Sequence, residues 1–230
     1  MNQSFEQNKN LLIFESGLQL SRQYWLKDFV ELGYNLFLAQ PWTMSWEKPY
    51  IKNYLQINLN PWTNLEINKI LNFITKNKID CLICLNEGTV PFASEIIKIL
   101  GLPNFSKEDI KNLRNKYSMR TTLLESGILQ PKFHFIDEDT SIDSLKVNYP
   151  VVVKPTELMA SLGVKLVKNK EELLDAVNSA RNVDFDGENL RLHYGFKKNV
   201  LIESYLSGDE FSVETFIQNG EIIDFFATKK

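Results

Sequence analysis

The sequence has few of the residues that build metal and redox sites, with two cysteines and two histidines among 230 residues. Cys81 and Cys84 have a C-x-x-C spacing, but they lie in the apolar run 79–85, which predicts a buried strand. Redox pairs need an exposed helix start, and zinc sites need a second Cys or His pair. His134 and His193 are far apart in the chain. Core packing is therefore the favoured role of the cysteines.

The chain also lacks long apolar runs and an excess of charge of one sign. No stretch approaches the roughly 18 uninterrupted apolar residues of a membrane span, and Met1–Asn10 is too polar for a secretory signal. The formal net charge is −3 with both signs interspersed, which argues against nucleic acid or a membrane surface as the main partner. With 43% apolar residues the chain can build a packed core. A soluble, cytoplasmic protein is expected.

The first hundred residues alternate predicted strands and helices, which indicates a parallel sheet of βαβ units. The strands are expected at 11–14, 34–39 and 79–85, and the helices at 20–32, 65–76 and 89–100. Ligands of such sheets lie beyond the carboxyl ends of the strands. Glu15 and Glu87 follow predicted strands and are candidate substrate contacts, with ordinary turn chemistry as the alternative. Trp42, Trp46 and Trp62, in a segment broken by prolines, belong to an interface or to the core.

The second half of the chain has a different pattern and predicts an α+β unit with an antiparallel sheet. A boundary is expected at 101–104, and two helices run from a capping box at Ser106-x-x-Asp109 to Gly127. Asn219-Gly220 is a strong hairpin turn signal. Further strands are predicted at 132–136, 149–154, 163–167, 200–203, 210–217 and 221–227, a helix follows the cap Asn169-x-x-Glu172, and 184–199 is expected to be a mobile connection.

Several polar residues of this half follow predicted strands. Lys154 ends the apolar run Pro150–Val153, where its ammonium could bind a phosphate oxygen or lie at the sheet edge in solvent. The small residues between Thr156 and Gly163 would let backbone N–H groups approach an anion. Glu203 and Glu210 flank an extended segment that could bind a nucleotide, or they are solvated turn residues.

The order and spacing of these segments resemble the ATP-grasp superfamily. The chain is most similar to its carboxylate–amine (amino-acid) ligase branch. The matching segments are Asn115-Lys116-Tyr117-Ser118-Met119-Arg120, Gly127-Ile128-Leu129-Gln130-Pro131, Tyr149-Pro150-Val151-Val152-Val153-Lys154-Pro155, Ser161-Leu162-Gly163-Val164 and Leu201-Ile202-Glu203-Ser204-Tyr205-Leu206-Ser207-Gly208-Asp209-Glu210.

The resemblance implies a fold and a set of ATP contacts. Residues 1–105 would form an N-terminal, Rossmann-like α/β domain, and residues 106–230 the first part of an ATP-grasp domain with its α+β lid at about 147–206. Lys116 and Lys154 would contact the phosphates, under a loop that includes Ala160, Ser161 and Gly163. The hinge strand would hold the adenine edge, and the ribose hydroxyls would bind the carboxylate that follows it. These hinge and ribose residues are Glu203, Ser204, Tyr205, Leu206 and Glu210.

The resemblance also implies the reaction. ATP would phosphorylate a small carboxylate, and an amine, with amino acids as the expected substrates, would attack the acyl phosphate. The family's magnesium ligands and catalytic residues would lie beyond Lys230, so this chain alone is expected to be inactive and to supply no metal ligand. The alternatives are a non-catalytic nucleotide-binding module completed by a partner chain and a small-molecule binding protein with a degenerate site. Whether the protein forms oligomers stays open.

Overall fold

A computed structural model describes residues 9–142, 145–183 and 194–230. Within these ranges the chain forms two four-stranded sheets and a separate two-stranded hairpin. Most of the connection expected at 184–199 lies outside the described residues, and so do residues 1–8. None of the described helices is long and apolar enough to cross a membrane.

The first sheet is parallel, as the alternation of strands and helices predicts. Its strands are β1 (Asn10–Phe14), β2 (Asn35–Gln40), β3 (Ile51–Gln56) and β4 (Cys81–Cys84), in the order β3-β2-β1-β4. The helices of this half are α1 (Gln19–Glu31), α2 (Asn64–Lys76) and α3 (Val90–Ile99). The strand β3 was not predicted from the sequence. It is a half-exposed edge strand, so it lacks a continuous apolar run, and prolines flank this segment.

The two faces of this sheet carry separate hydrophobic clusters. Leu12 and Phe14 point to the side packed by α2 and α3, whereas Leu11 and Ile13 pack on the other side with Leu26 of α1. Successive strand residues face opposite sides. The central strand β1 is therefore buried on both faces, which holds its carboxyl end in a fixed place.

The same alternation decides the role of the cysteines. Cys81 packs against the α1 side of the sheet and Cys84 against the α2 and α3 side, so their thiols point away from each other. Both are free. Burial raises the pKa of the Cys84 thiol to about 12, the opposite of what a reactive cysteine needs. The packing interpretation is confirmed.

The second half forms the expected α+β unit. Its sheet is antiparallel, in the order β5-β8-β6-β7, and α6 packs on one face over a core that includes Val153, Val177 and Ile202. The elements are α4 (Lys107–Arg114), α5 (Lys116–Glu125), β5 (Phe133–Ile136), β6 (Val151–Pro155), β7 (Lys165–Val167), α6 (Lys170–Arg181) and β8 (Val200–Ser204).

The last element is the hairpin of β9 (Phe211–Gln218) and β10 (Glu221–Lys229). Its turn residues Asn219 and Gly220 have φ values of 53° and 82°, the left-handed pair that a two-residue hairpin turn requires. Ser212 is half-buried, and the other described residues of the hairpin are exposed. The turn prediction is confirmed.

The start of α4 gives a direct test of local structure. The amide of Asp109 donates to Ser106 Oγ at 3.0 Å, and the amide of Ser106 donates to Asp109 Oδ2 at 2.9 Å. We expect Ser106→Ala to lower the free energy of unfolding by about 1 kcal/mol, because it leaves a helix N–H without its cap. Urea unfolding followed by circular dichroism measures this loss. The exposed Ser207→Ala is the control, and an equal effect of both changes would contradict the capping role.

Candidate functional site

The carboxyl edge of the parallel sheet forms one wall of a cavity of about 340 Å³. The opposite wall is the loop between β6 and β7, which contributes Met159, Ala160 and Leu162. Trp42 and Trp46 also line this space, whereas Trp62 packs on Phe92 with ring centroids 5.7 Å apart. We call this space the edge cavity. Its position agrees with the expectation that a ligand lies beyond the strand ends.

Glu15 reaches the edge cavity directly after β1. Its backbone is left-handed, with φ of 62°, and its side chain is almost fully buried. The Tyr194 hydroxyl donates to Glu15 Oε1 at 2.6 Å, and the Thr89 hydroxyl donates to the other oxygen. Burial raises the pKa of Glu15 more than these hydrogen bonds lower it. Glu15 is thus a cavity residue that is also tied to the segment after position 193.

A second buried carboxylate, Glu47, was not found from the sequence. Its oxygens accept from Ser16 Oγ at 2.6 Å, from the Ser45 amide at 2.7 Å and from Gln40 Nε2 at 3.2 Å. Burial favours protonation, but these hydrogen bonds outweigh it and lower the pKa of Glu47. Glu47 lies in the irregular segment between β2 and β3, where no periodic pattern signals its burial.

Glu87 does not line the edge cavity, in contrast to Glu15. Its side chain is 61% exposed and forms an ion pair with Arg114. Arg114 also donates to the carbonyl of Glu157 at 3.2 Å, and its guanidinium lies over the Phe196 ring. The structure therefore places Glu87 at the junction of α4 with the β6–β7 loop, away from the position expected for a substrate contact.

A buried cluster of charges lies where β6 and β8 run side by side. Val152 is directly opposite Glu203, so Lys154, two residues further, is on the same face as this carboxylate. Glu203 accepts from Arg120 Nε at 2.6 Å and forms an ion pair with Lys154. Its side chain is only 5% exposed. Glu203 is therefore the counter-ion of two cations, not a solvated turn residue.

Lys116, the first residue of α5, lies beside this cluster. Its Nζ donates to the carbonyl of Leu158 at 2.5 Å. Burial lowers the pKa of Lys116 to about 8, and the nearby charges of Lys154 and Arg114 contribute to the shift. A site that holds several cations close together, with the pKa of Lys116 lowered, is suited to a polyanion, which would offset the repulsion between the cations.

The β6–β7 loop turns tightly through several left-handed residues. Ala160, Ser161 and Gly163 have left-handed φ values of 52°, 58° and 71°. A Cβ on Gly163 would lie 2.4 Å from Val183 and 2.9 Å from Pro155, so no other residue fits there. Ala160 lines the edge cavity, whereas Ser161 and Gly163 shape the turn.

A second cavity, of about 620 Å³, lies on the other side of β8 from the edge cavity's loop. Glu203, Ser204 and Leu206 line it, together with Lys132 and His134 of the neighbouring strand segment. We call it the hinge cavity. Its lining includes three of the five residues that the resemblance places around the base and ribose, namely Glu203, Ser204 and Leu206.

Two of the expected base contacts, Ser204 and Tyr205, use their backbone amides in hydrogen bonds within the protein. The amides of Ser204 and Tyr205 donate to the carbonyls of Lys132 at 2.8 Å and Pro150 at 3.2 Å. These two amides are therefore occupied by hydrogen bonds within the protein, and the contact of this segment with an adenine edge stays a prediction.

Glu210 lies outside both cavities. Lys230 Nζ donates to its carboxylate at 2.7 Å, and both side chains are exposed. The contact of Glu210 with the ribose hydroxyls stays a prediction.

The buried cluster gives a stability test. We expect Glu203→Gln to lower the free energy of unfolding by about 3 kcal/mol, because two largely buried cations lose their counter-charge. The matched control Glu108→Gln removes an exposed ion pair with Lys111 and should cost under about 0.5 kcal/mol. Urea titrations at pH 7 compare the two.

The pH dependence of stability provides a second readout of the same change. Burial would raise the pKa of Glu203, but the hydrogen bonds and charges of Arg120 and Lys154 lower it below the ordinary 4.5. A carboxyl whose folded pKa is lowered stabilises the protein above its unfolded pKa and loses this contribution as the pH falls through the folded value. Glu203→Gln should therefore flatten the decline of stability below about pH 4.5. An unchanged acid slope would contradict the role of Glu203.

Comparisons with known proteins agree with the resemblance that the sequence motifs indicate. Residues 147–229 match the ATP-grasp domain family. The phosphoribosylamine–glycine ligase of Fusobacterium nucleatum is 31% identical over 193 residues, which are 78% of this chain and 40% of that protein. The D-alanine–D-alanine ligase A of Bacillus cereus is 37% identical over 160 residues, or 64% of this chain and 48% of that protein.

Solved structures share the fold. An L-amino acid ligase from Bacillus licheniformis superposes with a TM-score of 0.74 at 23% identity and covers 94% of this chain and 51% of its own. The N5-carboxyaminoimidazole synthetase of Staphylococcus aureus complexed with ADP has a TM-score of 0.67 at 18% identity, over 99% of this chain and 57% of its own.

The chain spans about half the length of the proteins it matches, between 40% and 57% in these four comparisons. The α/β and α+β halves of the structure agree with the fold class expected from the sequence. Residues 147–229 therefore resemble an ATP-grasp domain, and these relatives of the chain are named as ligases, in agreement with the resemblance found in the ordered motifs of the sequence.

Proposed function

We propose that this chain binds ATP as part of an ADP-forming carboxylate–amine ligase that acts on amino acids or related small molecules. The observation that carries the proposal is the convergence of Lys116 and Lys154 beside the tight loop at 157–163. Relatives named as ligases and a structural neighbour complexed with ADP support it. The proposed units are residues 1–105 and 106–230, with the lid at about 147–206.

Phosphate binding requires the cluster to exchange partners. Lys154 now pairs with Glu203, which also holds Arg120. When a phosphate oxygen approaches, Lys154 can turn from the carboxylate to the phosphate while Arg120 keeps the Glu203 charge compensated. Lys116 supplies a second positive charge from the start of α5, and Ala160 and Ser161 bring the loop backbone over the phosphates.

The hinge cavity is the proposed place of the base. Its volume of about 620 Å³ falls in the range of small-molecule sites. The exposed side chain of Leu206 can pack on a purine ring, and Glu203 and Ser204 border the cavity. The position of the cavity next to the Lys154 pair allows one nucleotide to occupy both regions. Tyr205 and Glu210 would join only after a movement of the segment that follows β8.

The chemistry follows from the charges. A carboxylate oxygen of the acid substrate attacks the γ-phosphorus and ADP leaves, which gives an acyl phosphate. The amine then forms the amide bond as phosphate departs with the bonding electron pair, and the amine loses a proton. The two lysines stabilise charge on the phosphoryl oxygens during the first step. Binding the substrates side by side excludes competing water.

Magnesium is the metal that the resemblance implies. In the ranges 9–142, 145–183 and 194–230, no group of three or more His, Cys, Asp or Glu side chains is placed to hold a metal ion. The described residues do not fit a metal centre, and no step of the proposal passes through one.

Loss of the Lys154 ammonium tests the phosphate contact. We expect Lys154→Ala to weaken ATP binding by about 2 kcal/mol, or about thirtyfold, because a charge-assisted contact is lost. Arg120 still pairs with Glu203 in this variant, so the fold should be retained. Isothermal titration with ATP in the presence of Mg²⁺ measures the change, with the exposed Lys170→Ala as the control. Equal affinities of Lys154→Ala and the unsubstituted chain would refute the assignment.

The pKa of Lys116 predicts how ATP affinity depends on pH. With a pKa of about 8 in the free protein, the ammonium is lost above that pH, and phosphate binding must restore the proton. Affinity should therefore fall as the pH rises from 7.5 to 9.5, by at most about tenfold per pH unit. Lys116→Arg, which stays charged throughout, should flatten the curve. A decline that is the same in both proteins would assign the titration to another group.

A further inference from the structure

The start of α5 is joined to the first residues of the β6–β7 loop by the backbone and the side chain of one lysine. The amide of Lys116 donates to the carbonyl of Thr156 at 2.8 Å, and Lys116 Nζ donates to the carbonyl of Leu158 at 2.5 Å. We call residues 156–158 the loop root. Thr156 and Leu158 are buried, so the root is a fixed part of the fold against which Lys116 is held.

Glu157 lies in the middle of the loop root, and both of its carboxylate oxygens are used. Asn115 Nδ2 donates to Oε1 at 3.0 Å, and the amide of Lys197 donates to Oε2 at 2.8 Å. The carbonyl of Glu157 accepts from the Arg114 guanidinium. This half-buried residue therefore joins the loop root to two other segments, the α4–α5 junction and the segment before β8.

Asn115 transmits the position of Glu157 to Lys116. Its Oδ1 accepts from the amide of Ser118 at 3.1 Å, which caps α5, while its Nδ2 donates to Glu157. The side-chain amide of Asn115 is thus held at both ends. Lys116 follows it directly as the first residue of α5, so the Glu157 carboxylate determines where this helix begins.

The remainder of the β6–β7 loop is tied differently. Within residues 9–142, 145–183 and 194–230, the hydrogen bonds of residues 159–163 are made inside the loop. The amide of Leu162 donates to the carbonyl of Met159 at 3.0 Å, and the amide of Val164 donates to Ser161 at 3.2 Å. The loop root, and not the tip, is therefore the part that can fix a phosphate-binding side chain.

We propose that Glu157 is a positioning residue of the phosphate site. It holds the start of α5 against the loop root through Asn115, and it thereby fixes the Lys116 ammonium where a phosphate can reach it. This role rests on the proposed function. The negative charge of Glu157 opposes a bound polyanion, so its contribution to ATP binding is made through the residues that it holds.

Isothermal titration of the 230-residue chain with ATP and Mg²⁺ tests this role. Glu157→Gln should weaken ATP binding by about fivefold or more, because an amide side chain has only one acceptor oxygen for the two donors. Loss of a negative charge alone would strengthen binding. The control Glu138→Gln removes the same charge and a 3.0 Å contact with the amide of Lys198, and should change affinity less than about twofold. Unchanged or tighter binding by Glu157→Gln would overturn the proposal.

A second variant tests the connection through Asn115. Asn115→Ser keeps a residue that caps helices but removes the Nδ2 donor. It should weaken ATP binding as Glu157→Gln does, and the double variant should be no weaker than either, because both changes break one connection. Asn169→Ser, at the equivalent cap of α6, is the control. Additive effects would contradict the connection, and Asn115→Ser carries the test if Glu157→Gln fails to fold by circular dichroism.

The pH dependence of ATP affinity distinguishes positioning from a loss of stability. Burial is the main reason that the pKa of Lys116 is lowered from the ordinary 10.5 to about 8. A Lys116 side chain released from the loop root regains solvent, so Glu157→Gln should reduce the decline of affinity between pH 7.5 and 9.5. A parallel decline in both proteins would contradict the role. The charged groups around this ammonium are those of Arg114, Lys154, Glu87 and Glu203.

Amide hydrogen exchange without nucleotide separates this inference from the proposed function. The hydrogen bond to Thr156 protects the amide of Lys116 in the free chain. Glu157→Gln should accelerate exchange of this amide by about tenfold, whereas Glu138→Gln should not. Equal exchange rates in the two variants would overturn the positioning role. Absence of ATP binding by the unsubstituted chain would instead refute the proposed function on which the inference rests.

Discussion

The carboxylate of Glu203 is the interaction on which the second half of the protein depends. It lies on β8, and it compensates Lys154 of β6 and Arg120 of α5, so one buried acid joins two strands and a helix. Without it, Lys116, Lys154 and Arg120 would form a cluster of uncompensated charge beneath the β6–β7 loop. The cluster also explains the depressed pKa of Lys116, since burial and neighbouring cations both oppose its protonation. A polyanionic ligand would relieve this repulsion, which is the physical basis of the proposed phosphate binding.

The two cavities differ in the charge of the residues around them. The hinge cavity borders the cationic cluster, whereas the edge cavity is lined by the acids Glu15 and Glu47. The β6–β7 loop lies between these regions, and its residue Met159 contacts the edge cavity while Leu158 accepts from Lys116. This loop therefore separates the acidic lining of the edge cavity from the cationic cluster proposed to bind phosphate.

Features set by neighbouring residues could be predicted from the sequence. The capping box at Ser106, the side-chain cap at Asn169 and the turn at Asn219 depend on short-range hydrogen bonds and backbone preferences, and the structure contains all three. The burial of Glu47 could not be predicted, because its partner Ser16 is 31 residues away. The pairing of Glu203 with Arg120 spans 83 residues. Such contacts are created by packing, and the counter-ion role of Glu203 could not be found from the residues near it in the sequence.

The location of the bound nucleotide tests the central claim most directly. Photolabelling of the 230-residue chain with 8-azido-ATP, followed by peptide mass spectrometry, identifies the residues next to the base. The account predicts labelled peptides from the hinge cavity, between 130 and 148 or between 202 and 206, with labelling suppressed by unmodified ATP. ATP-suppressible labelling confined to the parallel-sheet half, between 9 and 105, would contradict the placement of ATP over Lys116 and Lys154.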